Sequence, residues 1–259
     1  MGSKFGVRRG VLAAILVVFS VALGAPAPSR GAAEFTDKQI LSTPGGGRAL
    51  LPRMARSGDV AYAMHFKEGA FGGFKVDRLG EGGTVREHTT SVPCTGDCSG
   101  NFDIAADERY AFVLFERYDP DGDVDNTEVH VAGSDDRGTT FTAPKIISGS
   151  PGLTSWFSQL AVSGDSAYAA WEEYSGKIMV RRLTVDRVVH AHQPVELGRA
   201  RSQGSTEIAA SGGAVFVTWA DSTGVWLRTS RDAARTFGPP VQLSTATQAY
   251  GVSVAASQD

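Results

Sequence analysis

The chain has 259 residues, 42% hydrophobic and 20% charged, with 31 glycines. That is ordinary globular composition, enough for one large core. Residues 1–33 carry four basic and no acidic side chains, so the remainder holds 21 basic against 28 acidic groups, a balance that argues against nucleic acid or an anionic membrane surface as partner.

Lys4, Arg8 and Arg9 precede an apolar run from Val11 to Gly24, followed by small residues around Ala25, Ala27 and Ala33. This predicts a secretory signal peptide over 1–33. The apolar run is shorter than the roughly 20 residues that cross a bilayer, so the mature protein, 34–259, is expected to be exported and not membrane-spanning.

Beyond this leader one pattern recurs four times. Turns at Ser57-Gly58, Asp107-Glu108, Ser163-Gly164 and Ser211-Gly212 each follow a short apolar stretch. Four positions after each turn stand Tyr62, Phe112, Tyr168 and Phe216; seven positions after stand His65, Phe115, Trp171 and Trp219. The two positions differ in parity and so face opposite sides of a strand. Large rings on both sides mean a sheet covered on both faces. No run shows helical apolar spacing. In the fourth unit short strands are predicted near 207–210, 214–221, 225–230 and 241–244. Four strands per unit of about 50 residues is the signature of propeller blades. The fold class is therefore predicted as all-β: a β-propeller of four-stranded antiparallel blades, about four of them, with partial strands at either end. His65 reads as a core or rim histidine within an aromatic column.

Between the first and second units lie the only cysteines, Cys94 and Cys98. Thr-Gly-Asp between them can turn the chain back, and export favours oxidation. A local disulfide is expected, ahead of free thiols or a zinc site. In the second unit Asp119, Asp121, Asp123 and Asp125 alternate. Oxygen donors at this spacing suit Ca²⁺, but the same run is a turn sequence, and a solvated hairpin tip is the preferred reading; no other cofactor is expected. Glu172 and Glu173 read as a solvated strand-end pair with one carboxylate possible at a central channel. His190 and His192 are too few for a metal site.

Two stretches, 96 positions apart, repeat one word: Ser134, Asp136, Gly138, Thr140 and Phe141, then Ser230, Asp232, Ala234, Thr236 and Phe237. The word resembles the Asp box, or BNR repeat, of sialidase-like β-propellers. That resemblance implies a hairpin turn between the third and fourth strands of a blade. Asp136 and Asp232 should accept backbone N–H bonds, Gly138 should take positive φ, and Phe141 and Phe237 should re-enter the core. Ala234 at the glycine position is expected to reshape the second turn. Val76, Asp77 and Arg78, and Thr184 to Arg187, read as worn copies. Phe35 to Ser42 matches the tail of the word, and Val252 to Ser257 matches a first strand. The chain is accordingly expected to begin on an outer strand and end on an inner one, as a fragment of a 5–7-bladed ring would.

The resemblance places boxes and one–two turns on one face. The two–three and four–one loops share the other, where function is expected, with Trp156, Glu172, Glu173, Arg199 and Arg201 as candidate ligand-binding residues. A sialidase needs an arginine triad to grip a carboxylate. At the position of its first arginine this chain has Leu50, with Arg48 and Arg53 out of register, so no catalytic residues are assigned. The expected function is a non-catalytic scaffold binding cell-surface carbohydrate or protein. The alternatives are a sialidase-type exo-glycosidase, or a piece of one, and a structural module that docks partner strands.

Overall fold

The computed structural model describes residues 49–67, 73–80, 86–98, 101–107, 109–118, 126–149, 154–185, 193–200, 204–245 and 252–257. The leader, the segment 35–42, the aspartate run 119–125, His190, His192 and Arg201 lie outside these. The described residues form four sheets of four antiparallel strands, each sheet contiguous in sequence. Blade 1 is β1 (Ala49–Ser57), β2 (Val60–Lys67), β3 (Gly73–Leu79) and β4 (Arg86–Pro93). Blade 2 is β5 (Phe102–Asp107), β6 (Tyr110–Tyr118), β7 (Thr127–Ser134) and β8 (Lys145–Ile146). Blade 3 is β9 (Ser155–Ser163), β10 (Ser166–Glu173), β11 (Lys177–Thr184) and β12 (Val195–Arg199). Blade 4 is β13 (Glu207–Ser211), β14 (Ala214–Asp221), β15 (Gly224–Ser230) and β16 (Val241–Ser244).

Each first strand lies beside the first strand of the next blade, β1 to β5 to β9 to β13. Sheets that meander outward from adjacent inner strands make a β-propeller. The paired rings explain why the blades stack. Tyr62 of blade 1 shares a core with Phe115 of blade 2, Phe112 of blade 2 with Trp171 of blade 3, and Tyr168 of blade 3 with Trp219 of blade 4. All six are buried. Each junction thus takes the first ring of one unit and the second ring of the next, the two-faced burial expected from their parity. Glycines make room for the rings: a Cβ on Gly198 would lie 2.8 Å from Trp219, and one on Gly138 2.9 Å from Tyr62. Phe216 belongs to none of the three cores and is half-buried.

The two copies of the repeated word fold alike. Ser134 Oγ donates to Asp136 (2.7 Å) and accepts the Gly138 N–H (2.8 Å), while Asp136 accepts the Thr140 N–H (2.9 Å) and hydroxyl (2.7 Å). In the second copy Ser230 donates to Asp232 (2.8 Å) and accepts the Ala234 N–H (2.9 Å); Asp232 accepts the Thr236 N–H (2.9 Å) and hydroxyl (2.6 Å). Gly138 has φ +73° and Ala234 φ +61°. The second turn is not reshaped: Ala234 adopts the left-handed conformation, at a cost of about 1–2 kcal/mol, and its methyl is buried beside Tyr168. Phe141 and Phe237 pack against the junction cores.

Other expectations are corrected. By strand register the positions equivalent to Ser134 and Ser230 are Leu79 and Leu183. Val76, Asp77 and Arg78 are therefore no remnant turn; they lie inside β3, where Val76 fills a core and Asp77 is buried within 3.7 Å of His65. Apolar leucines stand where the turn-closing hydroxyls would be; Thr184 ends β11, and residues 186 and 187 of the second expected copy lie outside the described residues. Val252 to Ser257 forms no strand, because no ladder partner meets it among the described residues; its side chains alternate between half-buried and exposed. Cys94 and Cys98 form the local disulfide.

Candidate functional site

The inner strands carry polar side chains at one common level. Arg53 of β1, Asp103 of β5, Gln159 of β9 and Glu207 of β13 are paired across their sheets with Met64, Leu114, Ala170 and Thr218, which stand at equal distances beyond their turns. Each therefore projects from the same height on its blade, around the axis on which the four strands converge. Arg53 donates to the Phe102 carbonyl of the next blade (3.1 Å). Asp103 accepts the Leu160 N–H of the next blade (3.0 Å) and the Ile104 N–H (2.9 Å).

The two carboxyls are electrostatically linked. Burial raises the Asp103 pKa, opposed by the N–H bonds from Leu160 and Ile104 and by Arg53. Burial also raises the Glu207 pKa, reinforced by the charge of Asp103 and opposed by Arg53. Two like charges sharing a partly dry space favour a proton on one of them. Asp103 has two backbone donors; no described residue donates to Glu207, which is thus the better proton holder.

Toward the start of β9, three residues from Gln159, stands Trp156. Its ring meets Phe157 (centroids 5.7 Å) and Tyr174 (6.0 Å). Tyr174 is 73% exposed, in the turn between β10 and β11. Phe157 has φ +50° at a bulge in β9 and packs under Gly204. A bulky residue held there is costly and typical of sites where a side chain is re-aimed. Arg199 donates to the Ser175 carbonyl (2.9 Å), so it braces the Tyr174 turn. Trp156 and Arg199 thus both stand at the Tyr174 turn.

Glu172 is not solvated. It is 2% exposed and accepts the Ser205 N–H (3.2 Å) and the Thr206 hydroxyl (2.8 Å) at the entrance to β13. Glu116, one period earlier, does the same for blade 3, accepting the Ser158 N–H (2.8 Å) and hydroxyl (2.9 Å). Burial raises both pKa values, against those bonds. These carboxylates clamp consecutive blades; Glu173 stays half-buried at the strand end. Among the described residues no group of three His, Cys, Asp or Glu side chains has a metal-binding arrangement.

Asp103, Glu207 and Glu116 were missed from sequence. The signal was present: Arg53, Asp103, Gln159 and Glu207 each stand five positions before the second residue of their turn.

No protein-family model matches this chain, and no curated protein matches it in sequence. Among solved structures it is similar to a GH43 endo-arabinanase from Bacillus licheniformis, at 12% identity over 73% of this chain and 73% of that one, TM-score 0.43. It is also similar to an α-L-arabinofuranosidase from Podospora anserina in complex with cellotriose, at 11% identity over 80% and 71%, TM-score 0.46. A Hadza microbial sialidase matches at 13% identity over 77% of this chain and 47% of that one, TM-score 0.49. These likenesses are too remote to carry any residue's role across.

Proposed function

We propose that this protein is an exported Asp-box β-propeller that binds carbohydrate on the face opposite its box turns. The observation that carries the reading is the Trp156–Tyr174 pair, with an exposed Tyr174, standing up-strand of the axial polar ring. Rigid amphipathic rings give contact area at small entropic cost, and a few convergent polar groups fix orientation. Sugars need both: a flat partner for their C–H faces and donors or acceptors for their hydroxyls. The test is a glycan microarray with the mature chain, followed by calorimetry on the strongest glycan. Trp156→Ala is expected to weaken binding at least tenfold, about 1.4 kcal/mol, with the fold intact. Absence of glycan binding, or binding indifferent to both Trp156→Ala and Tyr174→Ala, overturns the reading.

A second reading, glycoside hydrolysis, is favoured by the linked carboxyls of Glu207 and Asp103. Hydrolysis needs one carboxyl protonated and one ionised, and the contrast in backbone donors supplies that asymmetry. A sialidase-type reaction is less supported, since Arg53 is the one arginine at the axial level among the described residues. Glu207→Gln abolishing turnover while preserving glycan affinity supports hydrolysis; no turnover of any bound glycan by the wild type removes it.

A further inference from the structure

The opposite face of the propeller holds a second polar recess. Between the turns of blades 1 and 2 lies a cleft of about 950 Å³ whose lining includes Asp59, Arg78, Glu87, Asp107, Arg109 and Arg137. A smaller recess of about 360 Å³ sits at the turns of blades 3 and 4. The two are structural equivalents, and each serves as a control for the other. Arg78 and Arg182 occupy matching places, opposite Tyr62 and Tyr168. The Arg137 N–H donates to the Arg109 carbonyl at 2.9 Å; in the other recess the Ala233 N–H donates to the Gly213 carbonyl at 2.9 Å. Arg137 has φ +58° and Ala233 φ +59°. The hydrogen bond that closes the recess is therefore the same in both, and it forms with a glycine and an alanine as well as with two arginines. The arginine side chains at 109 and 137 are surplus to that closure; Arg109 also lies over the Tyr110 ring, 5.4 Å from its centroid.

The cleft's own carboxylates do not absorb this surplus. Glu87 pairs with Arg78 at 3.1 Å, and Asp107 accepts the Gly164 N–H at 2.6 Å. Asp59 stands in the blade 1 turn. Arg109 pairs with Asp135 at 3.2 Å, but both side chains are more than half exposed, so the pair is screened and weak. No described acceptor holds the Arg137 guanidinium.

We propose that this cleft binds an oxyanion ester, a sulfate or phosphate monoester, between the guanidinium forks of Arg109 and Arg137. Planar guanidinium matches the tetrahedral oxyanion through paired N–H bonds that ammonium does not offer. The site lies on the opposite face from Trp156 and Tyr174 and does not depend on sugar binding there.

The experiment is calorimetric titration of the mature chain with inorganic sulfate, inorganic phosphate, a sulfated disaccharide and glycerol phosphate. One ester is expected to bind at least tenfold more tightly than its inorganic anion, which identifies the source, and to weaken as salt is raised. The variant Arg109→Gly/Arg137→Ala, which copies the sister recess, is expected to keep its unfolding midpoint and lose at least tenfold in affinity. Should the pair lower that midpoint, Arg137→Ala alone is read against Arg235→Ala, a control arginine in the box of blade 4. The proposal is overturned if neither ester outbinds its inorganic anion, or if the arginine variants bind as the wild type does.

Discussion

At the scale of single residues, the box turn separates what a position needs from what it tolerates. Gly138 and Ala234 share one conformation, but a methyl added at Gly138 would lie 2.9 Å from the Tyr62 ring, whereas the Ala234 methyl is already accommodated beside Tyr168. Gly138→Ala is therefore expected to lose about 2–4 kcal/mol, from left-handed strain plus overpacking on Tyr62, read from urea midpoints. Ala234→Gly should stay within about 1 kcal/mol of wild type, because strain relief is offset by chain entropy and a lost buried methyl. The Thr236 hydroxyl and N–H, with Ser230, hold the Asp232 pKa down to about 2. A carboxylate lowered on folding contributes stability above its unfolded pKa and loses it as pH falls through the folded one. Asp232→Asn is thus expected to flatten the urea midpoint between about pH 4 and pH 2, where the wild type declines. The aspartate and serine of this turn were legible in sequence. The compliance of Ala234 was not, since propensity gives a cost but not whether packing outweighs it.

At the scale of elements, the blades are stitched by carboxylates that look unremarkable in sequence. Glu172 pairs with Glu173 as letters, yet a bulge in β9 and the approach of β13 bury only the first. Strand endings decide such burial, and they are the least predictable part of a repeat. Glu172→Ala is expected to cost about 2–3 kcal/mol, because the Ser205 N–H and Thr206 hydroxyl lose their acceptor. Glu172→Gln keeps an acceptor and removes a buried charge. A carboxyl whose pKa rises on folding contributes stability below its unfolded pKa and loses it as pH climbs through the folded value. Stability of the wild type should therefore fall, as pH rises above the ordinary glutamate range, more steeply than that of Glu172→Gln. The strand boundaries of blade 4 were read almost to the residue, since its turns carry Gly212, Gly213 and Gly224, all at positive φ. The axial ring is equally periodic, but a single polar residue inside a short apolar stretch does not by itself tell an axial position from a strand end.

At the scale of the whole molecule, stability is a chain of neighbour contacts. Among the described residues the extensive contacts between blades all join adjacent ones, so damage at one junction propagates outward from it. Trp219→Ala empties the junction of blades 3 and 4 and is expected to cost about 3–5 kcal/mol. Amide exchange should then lose protection in β13 to β16 well before β1 to β4. Uniform loss across all sixteen strands would contradict this. The four-stranded sheets and their meander were legible because ring-bearing second strands recur at fixed offsets. What the rings could not foretell was the level at which polar side chains gather around the axis, since that depends on inner-strand height.

The common height of Arg53, Asp103, Gln159 and Glu207 constrains how this molecule can change. In an extended strand neighbours point to opposite sides, so gaining or losing one residue between such a group and its turn would exchange it with an apolar neighbour. For β13 that swap would bring Ile208 to the axis and drive a carboxyl into the core shared with blade 3. Insertions should therefore be tolerated in the loops, while the spacing from these four groups to their turns behaves as a fixed ruler.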